Sequence, residues 1–143
     1  MMGGGPAKDK KFIQKIMRQL KEGTSELFVV HDKAGTPTYT HDFTRTAKEL
    51  IKNEYWGLYN IACKGHTSRL KVATELLSLT GLTEKVTITP VNSAFFKDTY
   101  FVKRPDSECL NTKNLNAKGV NKMRHWKESL KEYVEQYYSD YLH

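Results

Sequence analysis

A short segment near residue 104 carries the residue types best suited to bind a ligand. Arg104 is followed by Pro105, whose ring limits the local backbone, and is preceded by Lys103. A planar guanidinium on a stiff segment suits bidentate binding of a phosphate. Tyr100 and Phe101 lie just upstream and offer rings on which a base could stack. A surface arginine beside core aromatic residues explains the same pattern equally well, so both interpretations stay open.

No metal site or catalytic nucleophile is predicted. Cys63 and His66 have the spacing of half a zinc site, but no second half follows at a suitable distance. Nothing in the sequence around Cys63 indicates an activated thiolate. The nearest match to a dinucleotide-binding Gly-x-Gly-x-x-Gly motif begins at Gly3 and has Lys8 in place of the last glycine. The residues therefore predict a binding segment without a complete catalytic site.

Length and charge limit the classes of function. The chain has 143 residues, enough for one domain, and a net charge of +7 that favours polyanionic ligands. Its basic residues are scattered among acidic ones, which argues against a nucleic-acid stripe. Two cysteines outside any Cys-x-x-Cys pair predict no disulfide framework, and no apolar run approaches the ~20 residues that span a bilayer. A cytoplasmic protein is expected.

Apolar periodicity predicts alternating helices and strands, and therefore an α/β fold. The run Leu27 to Val30 is apolar without a break, so both faces of that strand are expected to be covered. So few strands make too small a sheet for so many helices, which suggests part of a larger sheet. Helices are predicted near 10–22, 40–53, 66–82, 112–118 and 123–142, and strands near 26–32, 57–65 and 85–90, the last ended by Pro90.

Four segments, taken in order, resemble the C-terminal half of the dTDP-4-dehydrorhamnose reductases. They are "ELFVVHDKAGTPTYTHDFTRTAKELI", "GLYNIACKGHTSRLKVATELL", "VKRPDSECLNTKNL" and "HWKESLKEYV". The Asp-x-x-Gly-x-Pro-Thr junction and the Arg-Pro…Leu-Asn-x-x-x-Leu segment are fairly specific together. These reductases are extended short-chain dehydrogenases that act on nucleotide sugars, and the likeness covers essentially the whole chain.

The resemblance implies the C-terminal portion of a Rossmann-type short-chain dehydrogenase. Residues 1–143 would be a single truncated unit, a substrate lobe with the last strand and helices of the cofactor domain. The family binds NADPH or NADH at an N-terminal Gly-rich loop and catalyses with a Tyr-x-x-x-Lys pair. No Tyr of this chain is followed by Lys four positions later. We therefore expect no catalytic residue here, inactivity alone, and a missing N-terminal Rossmann portion as partner and cofactor site.

The resemblance also assigns binding residues, with a dTDP-sugar of rhamnose or surface polysaccharide biosynthesis as the ligand. Arg104 would contact the diphosphate, with Lys103 assisting. Phe12 would line the nucleotide side. Lys11 stands where the family usually has Asn, so the local hydrogen bond to substrate is expected to differ.

The junction between the first strand and the next helix would be architectural. By the same resemblance, Gly35 and Pro37 would shape a turn that also contains Thr38. Thr40 and Asp42 would cap the helix, and a carboxylate at Asp42 suits the positive end of the helix dipole. The following residues Phe43, Ala47, Leu50 and Ile51 fall on one apolar side of that helix.

Two other classes of function stay open. The first is a stand-alone basic module that binds nucleotides or, less in keeping with the charge pattern, nucleic acid. The second is a non-catalytic regulatory subunit, since a fold can persist after its catalysis is lost. Strands meant for a larger sheet would have open edges, so homodimers, swapped segments or poor solubility are expected.

Overall fold

The computed structural model describes residues 1–99, 102 and 104–142. None of the helices in this part of the chain is long and apolar enough to cross a membrane. A short 3₁₀ helix covers Ser93–Phe96. The α-helices are α1 (Gly5–Lys8), α2 (Phe12–Lys21), α3 (Thr40–Lys52), α4 (Arg69–Leu79), α5 (Lys113–Ala117) and α6 (Trp126–Tyr137), and the strands are β1 (Glu26–Val30), β2 (Ala34–Gly35), β3 (Thr67–Ser68) and β4 (Thr87–Val91).

The described strands form two small sheets. β1 pairs in parallel with β4, in a register from Glu26 opposite Thr87 to Val30 opposite Val91. β2 pairs antiparallel with β3, where Ala34 lies opposite Ser68. The predicted α/β class is confirmed, and each parallel strand is joined to the next through helices, as such pairing requires.

The core lies where α4 packs against α2, α6, β1 and β4. Met17, Ala73, Leu76 and Leu130 have no exposed side-chain area and form the centre of this core. Helix α4 begins after Ser68, whose side chain accepts a hydrogen bond from the Lys71 N–H and so caps the helix.

The segment 57–65 was predicted to be a strand, and this prediction is wrong for the structure. It runs without strand pairing until Lys64, which forms an isolated bridge with His125. A strand requires a hydrogen-bonded neighbour, and here β1 pairs instead with β4. The segment ends at Gly65, whose φ is +88° and whose hypothetical Cβ would lie 2.3 Å from His125 Nε2, so glycine is required there.

Three smaller expectations also fail. The first strand is not covered on both faces, because Phe28 is 46% exposed on a sheet of only two strands. β4 continues through Pro90 to Val91, which an edge strand permits because the missing N–H faces no neighbour. The apolar side expected for α3 is only partly its buried side: Phe43, Ala47 and Leu50 are half-buried and Ile51 is 65% exposed, whereas the fully buried residues of this helix are Asp42 and Thr46.

Candidate functional site

Three distant segments meet at β2. The Ala34 N–H donates to the Asp106 carbonyl at 2.8 Å, and the Glu108 N–H donates to the Ala34 carbonyl at 2.9 Å. On its other side β2 pairs with β3. The junction segment and the Arg-Pro-Asp segment, which are far apart in sequence, therefore lie side by side, and β2 connects them to the start of α4.

Side chains reinforce this contact between segments. The Lys33 ammonium lies 2.6 Å from the Asp106 carboxylate, and the Thr36 hydroxyl donates to the Gly65 carbonyl at 2.9 Å. The Lys33 side chain is only 17% exposed, but that of Asp106 is 94% exposed, so the ion pair lies at the surface and the backbone bonds are the stronger link. The segment that follows Pro105 is thus held by both backbone and side-chain contacts.

Arg104 stands next to this anchored segment with its side chain open to solvent. Its side chain is 65% exposed, and its nearest carboxylate partner, Glu108, lies 3.9 Å away. An exposed pair at that distance contributes little stability, so the guanidinium remains available to an incoming anion. Lys103, predicted to assist, lies outside the described residues, as do Tyr100 and Phe101.

Phe12 begins α2 and reaches the same region through Arg69. The Arg69 guanidinium lies over the Phe12 ring, 5.8 Å from its centroid. Arg69 directly follows Ser68 of β3, which pairs with Ala34. A continuous series of contacts therefore leads from the Phe12 ring through β3 and β2 to the Arg104 segment.

Arg69 is a residue that sequence reasoning missed. It is the first residue of α4, directly after the capping Ser68. A positive charge is unfavourable at this end of a helix, because the helix dipole is positive there. The contact of Arg69 with Phe12 was not predicted, because it joins two helices that are far apart in sequence.

Asp9 fixes the backbone that leads into Phe12. It is 5% exposed, and its carboxylate accepts hydrogen bonds from the Lys11 N–H and the Tyr133 hydroxyl, both at 2.8 Å. Burial raises the pKa of Tyr133, as it does that of Tyr138, which rises to about 12. Lys11 is the N-cap of α2 but has no capping side chain, so Asp9 takes over that local role by binding its N–H.

A basic groove lies beside this loop. It has a volume of about 290 Å³, and three lysines, Lys8, Lys10 and Lys11, outnumber the one acidic residue of its walls, Asp9; the first three residues and Thr40 complete them. Such a concentration of ammonium groups favours an anionic occupant. The sequence analysis singled out Lys11 alone, because the groove is assembled from the N-terminus, the loop and α3.

The predicted turn at the junction is not present. Residues 34–39 contain no hydrogen-bonded turn or bend; Gly35 lies in β2, has no left-handed φ, and has free space where a Cβ would stand. Pro37 is half-buried and Thr38 buried, and the Thr38 carbonyl accepts a hydrogen bond from the Met2 N–H at 2.8 Å. The junction is an extended connection that pairs with β3 at Gly35 and with the Met2 backbone at Thr38.

Asp42 does not cap α3, contrary to the sequence expectation. The N-cap is Tyr39, without a side-chain capping bond, and Thr40 is the first helical residue. The fully buried Asp42 carboxylate instead accepts hydrogen bonds from Arg124 Nε at 3.0 Å and from the Ser129 hydroxyl at 2.6 Å. These partners belong to α6 and the segment before it, so Asp42 joins α3 to the C-terminal helix.

The described residues contain no cluster of three His, Cys, Asp or Glu side chains placed to hold a metal ion. Cys63 is buried with its sulfur 3.6 Å from the Ser129 hydroxyl. Burial raises the pKa of the Cys63 thiol, which keeps it protonated at neutral pH and poorly nucleophilic.

Comparisons with known proteins show the family and the fold of this chain. Residues 6–139 match the sequence model of the RmlD substrate binding domain. Spore coat polysaccharide biosynthesis protein SpsK of Bacillus subtilis (strain 168) is 30% identical over 120 residues, which are 84% of this chain and 40% of that protein.

Solved structures show the same relationship. A dTDP-4-dehydrorhamnose reductase from Clostridium acetobutylicum ATCC 824 is 36% identical, with a TM-score of 0.81, over 90% of this chain and 44% of that one. A dTDP-4-dehydrorhamnose reductase from Bacillus anthracis str. Ames, solved in complex with NADP, is 26% identical, with the same TM-score of 0.81 and the same coverage of 90% and 44%.

The chain thus spans less than half the length of each of these relatives. The resemblance to the dTDP-4-dehydrorhamnose reductases that the sequence motifs indicated is confirmed, and with it the α/β fold of these proteins. With residues 6–139 matched, the chain belongs to the RmlD substrate binding domain family.

Proposed function

We propose that this chain is the substrate-binding part of an NAD(P)H-dependent nucleotide-sugar reductase and holds a dTDP-linked sugar. The observation that carries the proposal is the contact between β2 and residues 106–108, which brings the Arg-Pro-Asp segment, with the exposed Arg104 at its start, next to the other matched segment. The relatives named as dTDP-4-dehydrorhamnose reductases support the sugar nucleotide as ligand. A role in polysaccharide biosynthesis is in keeping with the name of the Bacillus subtilis relative.

Within this proposal Arg104 binds the diphosphate. Its guanidinium offers paired N–H donors that match two phosphate oxygens, and the anchored segment after Pro105 limits its motion. Lys103 adds positive charge, and Phe12 lines the nucleotide side. Lys11 replaces the family's usual Asn with a longer cation, so its ammonium contacts the ligand as a charge rather than as an amide.

The chemical step requires groups beyond those of residues 1–143. A nicotinamide cofactor supplies a hydride to such sugars when it is bound, but this chain has neither a Gly-x-Gly-x-x-Gly loop nor a Tyr-x-x-x-Lys pair. Its own residues bind and orient the sugar nucleotide and are inactive alone. A separate Rossmann portion holds the NADPH or NADH, and the assembled enzyme works in the cytoplasm.

Calorimetric titration of dTDP into the chain tests the binding role. Arg104→Gln is expected to weaken binding by about 10-fold or more, because a charge-assisted hydrogen bond contributes ~1.5–3 kcal/mol. Arg18→Gln is a matched control: Arg18 is also 65% exposed and also paired with a glutamate four residues on. The proposal fails if dTDP does not bind, or if both variants weaken binding equally.

The reductase role has its own test. The chain is joined to the nucleotide-binding portion of the Clostridium acetobutylicum reductase, and NADPH oxidation is followed with dTDP-4-dehydrorhamnose as substrate. We expect turnover by the joined protein and none by either part alone. Turnover by the isolated chain would refute the proposed division of roles.

A further inference from the structure

We propose that Arg69 is a second phosphate-binding residue of the sugar-nucleotide site and contacts the phosphate joined to the nucleoside. This inference rests on the proposed function and adds a residue that the resemblance does not assign. It depends on three observations: the register of β2 with its two neighbours, the open guanidinium of Arg69, and the contact of that guanidinium with Phe12.

The register around β2 places Arg69 and Arg104 toward the same end of one backbone layer. β2 lies between β3, which runs antiparallel to it, and Ser107, which bridges to Ala34 in parallel. Because β3 runs in the opposite direction, the residue that follows Ser68 and the residues that precede Ser107 lie toward the same end. The two outer backbones are two strand spacings apart, about 10 Å, so long side chains from both can reach one ligand.

The three cations at this end differ in what neutralises them. Lys33 precedes β2, between the other two, and its ammonium lies 2.6 Å from the Asp106 carboxylate. Arg104 forms only a long, exposed pair with Glu108, at 3.9 Å. Arg69 is exposed, and within the described part of the chain its guanidinium forms no hydrogen bond or ion pair. The two outer cations are therefore the ones open to an anionic ligand.

The Phe12 ring positions Arg69 without using its hydrogen-bond donors. The guanidinium carbon lies 5.8 Å from the ring centroid. A contact with a ring face leaves the five N–H groups of an arginine available to acceptors. Phe12 lines the nucleotide side in the proposed complex, and of the two phosphates the one joined to the nucleoside lies nearer to that side. Arg69 is therefore placed for this phosphate.

Calorimetric titration of dTDP and of dTMP into the full chain tests the assignment. Both ligands contain the phosphate joined to the nucleoside, so Arg69→Gln should weaken the binding of each by about 10-fold or more. Lys71→Gln is the matched control, because Lys71 is also exposed on the first turn of α4 and loses the same charge. Unchanged affinities in Arg69→Gln, or equal weakening by the two variants, would overturn the assignment.

Phosphorus NMR of the dTDP complex separates the two phosphates, since each gives its own signal. Arg69→Lys keeps the positive charge but replaces a planar pair of donors by a point charge. We expect this variant to shift the signal of the phosphorus joined to the nucleoside more than that of the terminal phosphorus, and Lys71→Gln to leave both signals in place. Any other pattern in Arg69→Lys contradicts the proposed contact.

The two proposals fail in different ways. If the parent chain does not bind dTDP, the sugar-nucleotide site is refuted and the role of Arg69 with it. If the parent binds dTDP in a manner that depends on Arg104 but not on Arg69, only the role of Arg69 is refuted.

Discussion

The two sides of helix α3 have opposite characters. Its inner side buries Asp42 and Thr46 against α6, whereas its outer side presents Ile51 to solvent. A surface helix of a self-contained globule normally buries its apolar side. The contrast teaches that buried polar groups join this helix to the rest of the chain, while a large apolar side chain on its other side stays in water.

The inner side is well supplied with partners. The Asp42 carboxylate is bound by Arg45, Arg124 and Ser129, and Arg124 also binds Glu132. A buried carboxylate is tolerated only when it is paired and hydrogen-bonded in this way. On the outer side, by contrast, the Ile51 side chain is mostly in water. Predictions at three places, from the largest expected effect to the smallest, test this contrast.

The largest effect is expected at the inner side. Asp42→Ala should lower the free energy of unfolding by about 3 kcal/mol, because it leaves the partly buried Arg124 and the buried Ser129 without their shared acceptor. Urea denaturation followed by far-UV circular dichroism measures the loss. Arg45→Ala is the control: its side chain is 55% exposed, so a loss of no more than ~1 kcal/mol is expected. Equal losses in the two variants would show that the Asp42 contacts do not hold α3 against α6.

An intermediate effect is expected at the loop before α2. Tyr133→Phe should lower the free energy of unfolding by about 2 kcal/mol, because the buried Asp9 carboxylate loses a hydrogen-bond donor. Chemical denaturation measures this loss. Tyr137→Phe is the control on the same helix, and we expect a change within ~0.5 kcal/mol there.

The burial of the neighbouring Tyr138 can be tested separately, through the pH dependence of stability. Burial raises the pKa of Tyr138 from its ordinary value of 10.0 to about 12. A raised pKa stabilises the fold fully below pH 10, and this contribution is lost as pH rises from 10 through 12. The phenolate absorbance of Tyr138 should therefore appear at a higher pH than that of an exposed tyrosine. If Tyr138 titrated at its ordinary pKa instead, the tyrosine cluster would be open to water.

The smallest effect on stability is expected at the outer side. Ile51→Gln should change the free energy of unfolding by no more than ~0.5 kcal/mol, because the side chain is already mostly in water. The same variant should reduce self-association in light scattering, since it removes part of an exposed apolar surface. Leu76→Ala, in the core, is the opposite case, with an expected loss of about 3 kcal/mol. A large loss at Ile51 would erase the contrast between the two sides.

Sequence patterns predicted the helices well and the strands less well. The spacing of Ile13, Ile16, Met17 and Leu20 identified the inner face of α2 because a helix repeats within a few residues. Gly57–Cys63 has the composition of a strand, but pairing depends on a neighbour that composition does not contain. For the candidate site, the resemblance predicted Arg104 and Phe12, and their role stays a prediction; the Arg69–Phe12 contact and the lysine groove emerged only when separate segments met.

The sequence alone determined the helices of this protein and its family. The sequence specifies helix periodicity, the Ser68 cap and the two matched motifs, because each of these depends on residues only a few positions apart. Only the tertiary structure decided that Asp42 is a buried hydrogen-bond acceptor that joins α3 to α6 rather than a cap, since its partner Ser129 lies 87 residues away. Burial and pairing are set by such distant contacts, which no local pattern specifies.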